Sequence, residues 1–138
     1  MKQLFTFMIL LAISCNTNQK IPYQQATGYF VKNSFDGQYN SIITNQSEFE
    51  KIFGTAAVMG PGGLPTTIDF SKEYVIAMIE GETDVATIIN ILNLKKSGGE
   101  IILEYSVIQG EKQTFTIRPM VLLVVNNDYI GALKKVKK

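Results

Sequence analysis

Tyr74-Val75-Ile76-Ala77-Met78-Ile79 is a run of six apolar residues, and its reading decides the fold. The run is too short for a core helix and rich in β-favouring residues, so it predicts a central strand buried on both faces. Val121-Leu122-Leu123-Val124-Val125 reads the same way. Between them, Ile88-Ile89-Asn90-Ile91-Leu92-Asn93-Leu94 is a further strand, and Ser97-Gly98-Gly99 turns it into the next. There Ile101, Leu103, Tyr105 and Val107 alternate with Ile102, Glu104 and Ser106, the pattern of a half-buried strand. Gln109-Gly110-Glu111-Lys112 reads as a hairpin turn. Phe115 and Ile117 then alternate with Thr114, Thr116 and Arg118, up to Pro119, which cannot donate a ladder bond and edges the run. Asn126-Asn127-Asp128 predicts a turn into a last strand, Tyr129-Ile130-Gly131-Ala132-Leu133.

Upstream, Thr27-Gly28-Tyr29-Phe30-Val31 and Ser41-Ile42-Ile43 are short strand candidates, with an Asp36-Gly37 turn signal between them. One helix is expected. Ser47 serves as its N-cap with Glu50 three residues on, Phe49, Ile52 and Phe53 share a face, and Gly54 ends it. Two turns are marginal alone, so packing must hold it. Residues 59–65, Met-Gly-Pro-Gly-Gly-Leu-Pro, form a surface loop; no Lys-Ser/Thr follows to make it a phosphate cradle. Strands joined by short turns predict a mainly β fold, an antiparallel β-sandwich or small barrel with one short helix.

The chain has 138 residues, a one-domain length, with 46% hydrophobic and 18% charged residues, a globular balance. Thirteen Lys+Arg stand against twelve Asp+Glu, so no basic excess points to nucleic acid. There is no His and one Cys, which excludes a Ser-His-Asp triad, a Cys-His pair, His-ligated metal and an internal disulfide. Acid–base work would fall on carboxylates, Lys or Tyr, and no such constellation is visible, so no enzyme and no cofactor are expected. Glu80, Glu82 and Asp84 form an acidic cluster without the rest of an EF-hand loop, and read as a solvated turn. The terminal Lys134-Lys135-Val136-Lys137-Lys138 reads as a solubilising tail, or as a contact for anionic headgroups.

Lys2 is followed by Leu4-Phe5-Thr6-Phe7-Met8-Ile9-Leu10-Leu11-Ala12-Ile13, nine of ten apolar. That is half of the ~20 residues a membrane span needs and fits a signal peptide over residues 1–14. Ala12-Ile13-Ser14-Cys15 resembles the lipobox of bacterial lipoproteins, with Ala where Leu is usual. The resemblance implies cleavage before Cys15 and acylation of its thiol, so that lipid holds the mature chain on the membrane. Residues 15–25 are polar and read as a tether, leaving one β-rich domain over 26–138. No acid follows the Cys in 16–20, and the expected location is the outer membrane of the envelope, facing the periplasm.

From Ser47 to about Val136 the chain resembles the C-terminal domain of the PrcB family, small lipoproteins named from a subunit of a bacterial protease complex. The carrying features are the helix Ser47-Glu48-Phe49-Glu50-Lys51-Ile52-Phe53, the stretch Asp69-Phe70-Ser71-Lys72 before an apolar strand, Glu80-Gly81-Glu82, and Arg118-Pro119 before the last apolar strand. The whole chain is similar to lipoproteins of Bacteroides-type bacteria. Val85-Ala86-Thr87-Ile88 stands where family members often carry a Gly-Gly-aromatic loop. The family implies a noncatalytic accessory role with a protein partner, a protease. A second resemblance, to chagasin-like protease inhibitors, rests on Arg118-Pro119; Met120 is not aromatic, and the Asn-Pro-Thr-Thr-Gly loop is absent. The candidate partner-contact residues are Gly81, Glu82, Thr83, Asp84, Arg118, Pro119 and Met120. An inhibitor should expose residues 81–87 and 118–120 as loops at one end, whereas an assembly module should show an apolar patch or an open sheet edge.

Overall fold

The computed structural model describes residues 18–138; the expected signal peptide over residues 1–14 and Cys15 lie outside them. In chain order the elements are β1 (Gln19–Lys20), β2 (Gln24–Gln25), β3 (Tyr29–Val31), β4 (Tyr39–Ile43), α1 (Gln46–Ile52), β5 (Phe53–Thr55), β6 (Glu73–Ile79), β7 (Thr83–Ser97), β8 (Glu100–Ile117), β9 (Met120–Asn126) and β10 (Ala132–Lys137). They make a sandwich rather than a closed barrel. A central sheet runs β2-β9-β6-β4 and an outer sheet runs β1-β7-β8-β10, while β3 pairs with β5 alone.

The two apolar runs are β6 and β9, adjacent and antiparallel in the central sheet, with Ile76 opposite Leu123. Their residues alternate between two cores, because successive side chains of a strand point to opposite faces. Tyr74, Ile76, Met78, Val121, Leu123 and Val125 meet Ile89, Leu94, Ile101 and Leu103 of the outer sheet. Val75, Ala77, Ile79, Leu122 and Val124 meet Phe49, Ile52 and Phe53 on the other side. The central sheet is thus covered twice, by the outer sheet and by a cover layer of α1, β3 and β5. Both faces are dry, so both strands need apolar residues throughout; each fully buried Leu or Ile contributes about 1.5–3 kcal/mol.

β6 through β9 form one long hairpin folded over on itself. Ile79 is opposite Met120, and Thr83 is opposite Ile117. Between these pairs, residues 80–82 and 118–119 carry the two chains together from the central sheet to the outer one. The Glu80 N–H donates to the Pro119 carbonyl across this corner at 2.9 Å.

Six expectations need correction. Gln109-Gly110-Glu111-Lys112 is not a turn: Gln109 is opposite Thr87 and Lys112 opposite Val85, inside an 18-residue β8. The ladder is irregular within this stretch, where Gly110 and Glu111 face only Ala86, and again further on, where residues 113–116 face only Asp84; insertions of this kind let a strand bend without ending. The last strand starts at Ala132, after a 3-10 turn at Asn127–Tyr129, and runs parallel to β8. The parallel direction follows from β9, which lies in the other sheet and returns the chain to the start of β8. The terminal lysines are therefore strand, and the Lys138 N–H extends the ladder to the Tyr105 carbonyl at 2.8 Å.

The helix is capped by Asn45, whose Oδ1 accepts from the Glu48 N–H at 2.8 Å, and not by Ser47, which lies inside the first turn. Glu50 accepts from the Gln46 side chain instead. The helix ends at Ile52, and Gly54 belongs to β5, its backbone under the Phe30 ring, where a Cβ would come within 2.5 Å of Cζ. Finally, the stretch expected as a tether is docked from Gln19 onward. Gln19 and Lys20 pair with Lys96 and Lys95, Gln24 and Gln25 pair with Val124 and Leu123, and Ile21 between them is 1% exposed in the outer-sheet core. This strap bridges the two sheets on one side.

Burial pushes the Tyr74 hydroxyl up to about 12, and Tyr39, partly buried and bonded to Glu48, is also pushed up to about 12. Both lie above the ordinary value of 10.0, so their contribution to stability is complete below pH 10 and is lost as pH rises through 12. Urea titrations are expected to give constant stability from neutral pH to about pH 9 and a fall above about pH 10, shallower in Tyr74→Phe. An unchanged alkaline limb in that variant would contradict the burial of this hydroxyl.

Candidate functional site

The corner gathers most of the residues singled out in the sequence. Arg118, the last residue before Pro119 turns the chain, folds its guanidinium back across the corner. Nη1 donates to the Phe35 carbonyl at 2.7 Å and Nη2 to Glu82 Oε1 at 3.2 Å. The Arg118 side chain is only 19% exposed, against 64% for Glu82. Glu82, Arg118 and Met120 line an open hollow of about 500 Å³ together with Tyr29, Phe30 and Ile117. Gly81, Glu82, Thr83 and Pro119 line a smaller one of about 290 Å³ on the other side of Glu82. Asp84 lines neither and pairs with Lys112 at 3.1 Å on the exposed ribbon.

The corner does not present projecting loops. Residues 83–87 are strand, the Thr83 hydroxyl accepts from the Val85 N–H, and Pro119 is buried. Arg118 is engaged within the chain, tying the loop after β3 to the corner. Among the described residues no three carboxylates stand close enough to hold a metal; Glu82 and Asp84 each face a cation instead. No helix of the described residues is long and apolar enough to cross a membrane.

The two contacts of Arg118 differ in weight. A charge-assisted bond to a carbonyl in a part-buried place contributes about 1.5–3 kcal/mol, whereas an ion pair to an exposed carboxylate contributes about 0–1. Arg118→Leu is therefore expected to lower stability by about 2 kcal/mol and Glu82→Gln by under about 1 kcal/mol, read from urea midpoints. Equal losses would mean that the ion pair, and not the Phe35 carbonyl, holds the corner.

A second hollow, of about 440 Å³, adjoins the first through Tyr29, which lines both. Its walls include Phe49, Phe53, Leu64, Pro65 and Ile68. Tyr29 stands edge-on to Phe49 with centroids 5.1 Å apart, and its hydroxyl donates to the Thr66 carbonyl at 2.5 Å. Phe30, which lines the first hollow, is 48% exposed, and Val58, Met59 and Leu64 are exposed on the Gly/Pro loop. Gly28 lets that loop approach: it has φ +80°, and a Cβ there would lie 2.6 Å from Pro65 Cα. The sequence reading missed this surface because β3 meets β5 across more than twenty residues, with Phe30 opposite Gly54. A half-exposed aromatic in an otherwise alternating strand was the one local signal.

Comparison with protein-family models, with curated proteins and with solved structures finds no match to this chain.

Proposed function

We propose that the chain is a noncatalytic binding and assembly module of the bacterial envelope, held to the membrane by lipid on Cys15 and receiving a segment of a protein partner on its cover layer. The partner class is an envelope protease, by the resemblance to the PrcB family. The observation that carries the reading is the joined pair of hollows around Tyr29, lined by exposed Phe30 and Leu64, with Met59 exposed on the same loop as Leu64. Exposed apolar residues gathered beside concave surface are how a partner site differs from scattered surface residues. Inhibition through inserted loops has less support, since Arg118 is turned inward and Pro119 is buried.

The test is a cross-linked pull-down from native envelopes with the full acylated protein as bait, beside Phe30→Asp and Cys15→Ala. The expected result is one protease, recovered with the parent protein and lost with Phe30→Asp at unchanged protein level. Purified protein should leave that protease active, whereas an inhibitor would abolish its turnover. Recovery that is indifferent to Phe30, or no specific partner, would sink the proposal.

A further inference from the structure

The side of the sandwich away from the cover layer has a composition of its own. The strands of the outer sheet with Lys138 hold eight lysines against four acids, while the other described residues hold three lysines and Arg118 against eight acids. A nearly neutral chain is thus split into a basic sheet and an acidic remainder. Because Ile101 and Leu103 point into the core, Ile102 and Glu104 point outward. Lys20 lies opposite Lys95, Lys95 opposite Ile102, and Ile102 opposite Lys134, one row across the solvent face. Glu104 in the next row is held by Lys95 at 3.3 Å and Lys138 at 3.7 Å. Further along, Ile88 and Ile108 are directly opposite each other and 64% and 53% exposed, and Leu92, four residues on in β7, is exposed as well.

We propose that this face, Lys20, Lys95, Ile102 and Lys134 with Ile88 and Ile108, lies against an anionic lipid surface. Two observations choose lipid over another occupant. The charge split orients the molecule, basic sheet toward the surface and cover layer away from it. The chain also enters the structure at the edge of this sheet, and Cys15 is four residues before Gln19, a reach of at most about 14 Å. Lysines supply the attraction and the isoleucine pair enters the headgroup boundary. The inference rests on the proposed acylation of Cys15 for its anchor, but the face itself can be read without it.

Two arms separate the claims. In the first, the acylated full chain carries an environment-sensitive fluorophore at Ile108→Cys or, as reference, at Lys51→Cys on the helix. It is placed in vesicles of phosphatidylcholine alone or enriched in phosphatidylglycerol. The probe at 108 is expected to shift to the blue and be quenched by lipid-borne quenchers in the anionic vesicles, and the probe at 51 is not. In the second, the chain from Asn16, which keeps every described residue, is sedimented with the anionic vesicles at low salt. Each lysine at such a surface is worth about a fivefold factor in partitioning, so Lys20→Glu with Lys134→Glu should lower binding at least about tenfold. A silent probe at 108 in an acylated chain, or binding indifferent to both lysines, overturns the proposal. So does a dimer without lipid that Ile108→Glu dissociates, which would make a second copy the occupant. If the chain proves not to be acylated, the anchor reading fails and the second arm still decides the face.

Discussion

Ile21→Asp is expected to lower stability by about 4 kcal/mol or more, most of what a domain of this size has to spare. Ile21 is 1% exposed and packs in one cluster with Tyr74, Leu94 and Ile101. A carboxylate there would lose its water and gain no partner, because every member of that cluster is apolar apart from the Tyr74 hydroxyl, which already donates to the Tyr129 carbonyl. The strap would be dragged out of the sandwich and with it the pairing of Gln19–Lys20 and Gln24–Gln25 to the two sheets. Tyr23→Asp is the control, since Tyr23 stands in the same stretch and is exposed; its cost should stay under about 1 kcal/mol. Urea titration of both variants reads the difference. Equal, small effects would mean that residues 19–25 are a tether after all.

The second large effect contrasts two isoleucines of the same hairpin. Ile76 is fully buried between the sheets, and Ile76→Ala removes buried methyl groups and leaves a cavity, an expected loss of about 3–5 kcal/mol. Ile108, between Val107 and Gln109, faces solvent, and Ile108→Ala should change stability by no more than about 0.5 kcal/mol. If both variants lose the same, the side-chain alternation assigned to β8 is wrong, and the outward face with it. A stable Ile108→Ala protein that no longer binds anionic vesicles is the combination expected of a surface residue with a function.

Local pattern carried much of the fold. Residues 74–79 and 121–125 announced doubly covered strands because burial on both faces leaves a mark in every residue. The buried face of α1 was equally legible in Phe49 and Ile52, with Phe53 buried just beyond its end in β5. What escaped depends on distant parts of the chain. A single Ile21 among polar residues gives no periodicity, and only the open side of the sandwich makes it core. The parallel direction of β10 follows from where β9 lies. The cap moved from Ser47 to Asn45 because either side chain can accept from a backbone N–H of a first turn, and the end of β4 decides which is in place. At the corner, Glu82 and Arg118 stood out singly, but their contact spans 36 positions. The burial of Arg118 and its bond to the Phe35 carbonyl exist only once the loop after β3 has met the folded hairpin.

On the two proposals the molecule has two working sides, a basic sheet toward lipid and a cover layer toward a protein partner. The most direct measurement places a photo-cross-linking amino acid at Phe30 or at Ile108 in the full chain and irradiates native envelopes. The account predicts a discrete protein adduct from position 30 and lipid adducts, without that protein, from position 108. The same protein captured from both positions, or lipid captured from position 30, would contradict it.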